Sequence, residues 1–408
     1  MKILVVAENF PWPANGGGLI RLANSVEALA RLGEVDLFTL CDPRRADRTI
    51  PPTVELARLE TTPYPRAARR LRWRTAWLAR GGVPLEVAMR RFDPAPGVAL
   101  QSWASDSYDL VWFSTAATYE WVGRPRLGPT VIDLVDLEDD KERQRATLLG
   151  REQHHGVADR VRRLVAGAQG RLNARDWGAF QRSVAADVDR VVLASDLDVH
   201  RSGLPRASVV PNTLRRPARP LGRAGVGVPP TVLFQGSLNY APNMDAADWL
   251  VGQVAPRLRA RVGGCEIRLV GRPTPGVERL HTPPSVTVVG RVPEMGPELE
   301  RADVAVVPIR YGSGTRVKIL ESFAHRIPVV STTVGAEGLE VTDGVHLLVA
   351  DDPERFAIQC ERLLTEPELR KRVADAAEQL FRERYELSAS EERIRAVVQA
   401  VVGPGSVS

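Results

Sequence analysis

The sequence predicts an α/β protein built as two consecutive, doubly wound parallel-sheet domains. Three observations carry that expectation. Short apolar runs alternate with stretches of helical periodicity from one end of the chain to the other. The alternation stops once, over residues 213–230, and then starts afresh. With 408 residues, 44% of them hydrophobic, the chain is long enough for about two to three domains, each with its own core.

Taken in order, Ile3–Ala7 is short, branched and apolar, which is the pattern of a buried strand. Leu19, Leu22, Val26, Leu29 and Leu32 recur at helical spacing, and Glu34–Leu40 is a second strand, so the first forty residues read as a βαβ unit. Strands are also expected at Tyr108–Ser114, Val131–Leu137, Arg190–Ser195 and Ser208–Pro211. Residues 213–230, rich in Pro, Gly and Arg, read as a linker. Beyond it, strands are expected at Thr231–Gly236, Glu266–Gly271, Val286–Val292, Val304–Ile309 and Ile327–Thr332, with helices near 244–260, 315–325, 353–365 and 367–384. The expected division is an N-terminal domain over 1–212, a C-terminal domain over 231–384 and a last helix, 385–408, returning toward the N-terminal domain. Open parallel sheets bind ligands beyond the carboxyl ends of their strands. Two such sheets are expected to face each other across a central cleft.

Composition excludes several function classes. Fifty-five Lys and Arg against fifty Asp and Glu give a net charge of +5, spread without long like-charge blocks, which argues against a nucleic-acid binder. Cys41, Cys265 and Cys360 are far apart and form no CxxC pair, so neither a disulfide framework nor structural zinc is expected, and no metal site is assigned. The apolar run Ile3–Ala7 is too short for a signal segment or a membrane span. A cytoplasmic protein is the expectation. Only four lysines occur, Lys2, Lys141, Lys318 and Lys371, so a lysine inside a motif stands out.

Two loops carry chemistry. Asn15-Gly16-Gly17-Gly18 follows the first strand, where glycines let a phosphate or sugar approach the backbone; a plain turn reads equally well, and GxGxxG is not matched. The segment Arg310–Glu321 (RYGSGTRVKILE) lies between two buried strands. Gly312 and Gly314 permit a tight turn, Thr315 is placed to cap the next helix, and Arg316 and Lys318 fall in its first turn. Cations are unfavourable at a helix N-terminus, so two of them there fit a bound diphosphate. Glu321 shares a helix face with Lys318 and is suited either to accepting from ribose hydroxyls or to pairing with that lysine.

These pieces together resemble the retaining, GT-B fold glycosyltransferases of family 4, which use nucleotide-diphosphate sugars. The resemblance runs through Gly16–Gly18, Val209-Val210-Pro211-Asn212, Phe234-Gln235-Gly236-Ser237, Leu269-Val270-Gly271, Val289-Gly290-Arg291, Gly312–Glu321 and Pro328-Val329-Val330, and is strongest for the subgroup carrying GSGTRxKILE. It implies transfer of a sugar from a UDP- or GDP-type donor to a hydroxyl acceptor, with retention and without a metal or other cofactor. It places Gly17 and Gly18 against the diphosphate or acceptor, Gly236, Ser237, Gly314 and Thr315 against the donor, Gly290 and Arg291 along the base, and Glu321 on the ribose.

The sequence also departs from that pattern. The first glutamate of the family's E-x7-E motif falls on Ser313, and the Arg and Lys that follow the first strand of the second domain fall on Ser237 and Pro242. Arg316 and Lys318 are therefore expected to take over neutralisation of the leaving diphosphate. The usual N-domain histidine is missing, and Asp133 or Asp136 is a candidate for acceptor activation; capping of the next helix reads equally well for either. Residues 65–80 combine six arginines with Trp73 and Trp77 four apart. With Arg69 and Arg70 they fit either a peripheral membrane contact or an amphipathic helix packed on the sheet. A GT-B-like epimerase and a catalytically weak homologue are the rival readings.

Overall fold

The computed structural model describes residues 1–41, 50–67, 82–151, 157–217 and 225–403. Contacts divide the chain into two units, Met1–Asn212 with Ser388–Ser408, and Thr213–Leu387.

The first unit holds seven parallel strands: β1 (Lys2–Ala7), β2 (Glu34–Leu40), β3 (Arg58–Thr62), β4 (Leu110–Phe113), β5 (Thr130–Asp133), β6 (Arg190–Leu193) and β7 (Ala207–Val209). Their order is β3-β2-β1-β4-β5-β6-β7. Central strands β1, β4 and β5 are buried on both faces, as parallel strands covered by helices must be. Apolar side chains on one side join Leu22, Val26 and Leu29 of the Gly17–Ala30 helix. Ile394, Val397 and Val398 of the Leu387–Val402 helix belong to the same core.

The second unit holds β8 (Thr231–Gln235), β9 (Glu266–Val270), β10 (Val286–Gly290), β11 (Val304–Val307), β12 (Val329–Ser331) and β13 (Leu348–Val349), in the order β10-β9-β8-β11-β12-β13. Both sheets reverse direction beside their first strand, at β1/β4 and β8/β11. Those are the switch points at which such sheets bind ligands.

The differences from the expected elements have physical causes. β3 carries no apolar run because an edge strand need bury little and pairs on one side only, and β13, at the other sheet's edge, is two residues long. Pairing in β5 ends at Asp133, four residues short of the expected limit, although Leu134 and Leu137 remain buried; burial continues without a ladder. Helices Glu138–Arg151 and Val157–Asp187 fill a stretch to which the periodicity assigns no element. They pack on each other through glycines, a Cβ on Gly170 falling 3.3 Å from that of Ala146.

Candidate active site

The richest group of chemical side chains lies at the carboxyl ends of β8 to β11. Three glycines prepare it. A Cβ on Gly271 would sit 1.8 Å from the carbonyl oxygen of Gly236, so only glycine lets the ends of β8 and β9 approach this closely. Gly271 N–H donates to the Gly290 carbonyl at 2.8 Å, and Gly290 has φ +82° where the β9–β10 register shifts. Arg291, next to it, is exposed. The Gly236–Ser237 turn is thereby presented at the sheet edge, with Asn243 Nδ2 donating to the Ser237 carbonyl at 2.9 Å.

The Val317–Ala324 helix supplies the charges. Its N-cap is Arg316, in an extended conformation and without a side-chain cap bond, so the cap position falls one residue beyond Thr315, which is buried before it. Gly312 and Gly314 turn the chain at positive φ, +142° and +73°, and Arg316 is still extended, so the first helical residue is Val317. Arg316 folds back over the loop, and its NH1 donates to the carbonyls of Ser313 and Gly314, the latter at 2.8 Å. Gly312 has φ +142°, which disfavours a side chain, and a Cβ there would lie 2.8 Å from Arg316 NH2. Arg316 Nε and NH2 and the Ser313 hydroxyl are buried without a hydrogen-bond partner among the described residues. Unsatisfied buried donors are costly, and a charged one more so. An acceptor-rich ligand would relieve all three.

Lys318 Nζ donates to Asn243 Oδ1 at 2.8 Å and lies 4.5 Å from the centre of the Phe234 ring. It stands beside the glycine turn, 2.8 Å from where a Gly236 Cβ would be. Burial, with repulsion from Arg316 second, pulls Lys318 down to about 7. Glu321 does not pair with it; its Oε2 accepts from Gln235 Nε2 at 2.8 Å. Burial pushes Glu321 up to about 7, and the Gln235 hydrogen bond only partly offsets this. Pro242 is buried in the first turn of the Ala241–Trp249 helix, and Arg310 clasps Asp245 of that helix, Nε to Oδ2 at 2.9 Å. Asn243, Gln235 and the Arg310–Asp245 pair have no spacing signal in the sequence, because their roles come from strands and loops that meet only in the fold.

The remaining expected site residues lie in the first unit. Gly17 and Gly18 open the Gly17–Ala30 helix after β1. Both are exposed, no acidic residue occupies the first turn, and a Cβ on Gly18 would meet nothing within 4 Å. Asp136 lines a pocket of about 310 Å³ at the carboxyl ends of β1, β4 and β5, with Glu8, Tyr64, Glu86, Arg90 and Trp121 among its walls. Tyr64 Oη donates to Glu8 Oε1 at 2.7 Å. Asp133, the other acid considered for acceptor activation, is fully committed. It receives Arg21 Nε at 2.9 Å and NH2 at 2.7 Å, while Arg21 NH1 holds the Val210 carbonyl at 2.7 Å and Asn212 Oδ1 at 3.0 Å. Asp133 is a structural clamp between β5, β7 and the first helix. Arg69, Arg70, Trp73 and Trp77 lie outside the described residues.

Residues 229–366 match the family model described as glycosyl transferases group 1. The protein is a glycosyltransferase. Over 86% of this chain and 78% of the relative, it is 26% identical to a D-inositol 3-phosphate glycosyltransferase of Streptomyces bingchenggensis. Its two parallel-sheet domains have the GT-B fold. A sucrose-phosphate synthase of Thermosynechococcus elongatus superposes with TM-score 0.66 at 18% identity, covering 98% of each chain. Anabaena HepE in complex with UDP and glucose superposes with TM-score 0.64 at 15% identity, covering 98% of this glycosyltransferase and 99% of HepE. Among the described residues no helix is long and apolar enough to cross a membrane.

Proposed function

We propose that this glycosyltransferase belongs with the family 4 subgroup carrying GSGTRxKILE and moves a sugar from a UDP- or GDP-type nucleotide-diphosphate donor to a hydroxyl acceptor in a glycan, glycolipid or natural product. Transfer proceeds with retention and without a metal, in the cytoplasm. The observation that carries the reading is the pair of buried, unsatisfied Arg316 donors beside Lys318 at the Gly236 turn. Complexes of HepE with UDP-glucose and with UDP and glucose support a uridine donor.

In the proposed reaction the bond from the anomeric carbon to the distal phosphate oxygen breaks, and a bond from that carbon to the acceptor oxygen forms. The acceptor proton passes to the departing diphosphate. Charge builds on the phosphate oxygens as the bond breaks, so fixed donors aimed at them stabilise the transition state more than the ground state. Arg316 Nε and NH2, the Ser313 hydroxyl and the Lys318 ammonium fill that role, while Glu321 accepts from the ribose hydroxyls. Gly17 and Gly18 admit the diphosphate or acceptor to the first helix's N-terminus, and Asp136 orients the acceptor hydroxyl.

The test is incubation with UDP- and GDP-sugars while NMR follows donor consumption and the anomeric configuration of the product. Release of nucleoside diphosphate with a retained configuration is expected. An inverted product overturns retention, an epimerised free sugar indicates the epimerase, and binding without turnover indicates a weak homologue. Failure to bind any nucleotide overturns the reading as a whole. Full activity after chelation is the expected result for metal independence.

A further inference from the structure

The Val157–Asp187 helix carries two apolar faces, and among the described residues only one of them is covered. Gly167, Gly170, Ala174 and Gly178 recur at helical spacing on the buried face, against Asp139, Glu142 and Ala146 of the neighbouring helix. On the other side Val161, Leu164, Val165, Ala168 and Leu172 share one stripe. Val161, Leu164, Val165 and Leu172 are 54–61% exposed. At 1.5 Å per residue the stripe runs for about 17 Å, far more than a scattered surface aliphatic would.

Residues 161–175 contain four arginines and no acidic residue. Arg162, Arg171 and Arg175 are exposed; Arg162 and Arg171 border the stripe on its two sides, and Arg175 follows it at the C-terminal end. We propose that this face docks the enzyme on an anionic lipid surface, the aliphatic stripe entering the headgroup boundary and the flanking arginines reaching lipid phosphates. Long arginine stems beside an apolar stripe suit a helix lying in the plane of a bilayer. A second copy of this chain is disfavoured, because facing stripes would oppose arginine to arginine. A protein partner is disfavoured by the lack of Trp, Tyr, Phe or Met in the stretch, since the apolar anchors of protein interfaces are drawn largely from those residues. The proposal is independent of the donor reading, which rests on residues of the other unit.

The experiment is co-sedimentation of the full chain with vesicles of phosphatidylcholine alone or mixed with phosphatidylglycerol. Binding to the mixed vesicles only, weakened by salt, is expected. The double variant Leu164→Glu/Leu172→Glu should reduce partitioning about tenfold or more. Arg162→Glu/Arg171→Glu should do the same by removing the charge attraction. Circular dichroism melts and nucleotide binding are expected to stay unchanged in both, since these side chains are exposed. Absence of vesicle binding by the parent protein, or equal partitioning of parent and leucine variant, overturns the proposal. A solution dimer dissolved by the leucine variant, without vesicle binding, also overturns it and assigns the face to a second copy.

Discussion

Lys318 and Glu321 are held in states that disfavour their charges, and each has a consequence that can be measured. Both acquire values of about 7, the lysine from above and the carboxyl from below. For Glu321 the folded value exceeds the unfolded one, so the native state binds more protons between about 4.5 and about 7 and stability falls as pH rises through that window. Glu321→Gln is therefore expected to unfold about 1–3 kcal/mol later than the parent protein above about pH 7 and level with it below about pH 4.5. Thermal melts across that range check this, and an equal shift at both ends would contradict it. For Lys318 the proton is lost near neutrality unless an anion holds it. Affinity for UDP or GDP should decline as pH climbs above about 7 and do so less steeply in Lys318→Ala, measured by calorimetry. The same variant should lose about 100-fold or more in kcat/KM, the size of effect typical of a preorganised charge on a leaving group. Near-normal turnover would refute the transfer of the neutralising role to Lys318.

The elements around the site differ in how much change they tolerate. At Gly271 an added methyl would collide with a backbone carbonyl at 1.8 Å, at a φ of +138° that side chains avoid. Gly271→Ala should destabilise the second unit by about 3 kcal/mol or more in urea denaturation. Gly18 is the opposite case. Its surroundings are open and it lies in the first turn of a helix, where alanine is favoured over glycine by about 0.5–1 kcal/mol. Gly18→Ala should melt at or above the parent temperature yet raise KM, if the helix N-terminus is approached by substrate. An unchanged KM would reduce the glycine run to a turn. The contrast separates glycine kept for folding from glycine kept for access.

At the scale of the whole molecule, the first unit is discontinuous in sequence. Ile394, Val397 and Val398 are at most 4% exposed within its core, while the chain between Thr213 and Leu387 forms the other unit. Truncation after Leu387 should therefore destabilise the first unit by about 4 kcal/mol or more, from lost burial of three aliphatic side chains, and leave the second nearly unaffected. Hydrogen exchange resolved by peptide would show faster exchange in β1, β2 and β4 and unchanged exchange in β8, β9 and β11. Equal loss in both units would mean that the last helix serves them together.

Local pattern was enough for the central strands, the fold class and the RYGSGTRVKILE segment, because buried parallel strands are continuous apolar runs and a cation at a helix start conflicts with the dipole. With only four lysines in 408 residues, Lys318 stands out within its motif from sequence alone. What that lysine touches was not legible. Asn243 and Phe234 reach it from 75 and 84 positions away, and Gln235 meets Glu321 across 86. The same holds for Asp133, which reads as a candidate for chemistry until Arg21, 112 residues earlier, closes on it. Residue type and periodicity are properties of the chain nearby, so the sequence by itself determined the fold class and the segment bearing the charges. Burial and partnership are properties of space. Only the tertiary structure decided that Arg316 keeps two donors unsatisfied, that Lys318 and Glu321 stand apart, and that Asp133 is already committed.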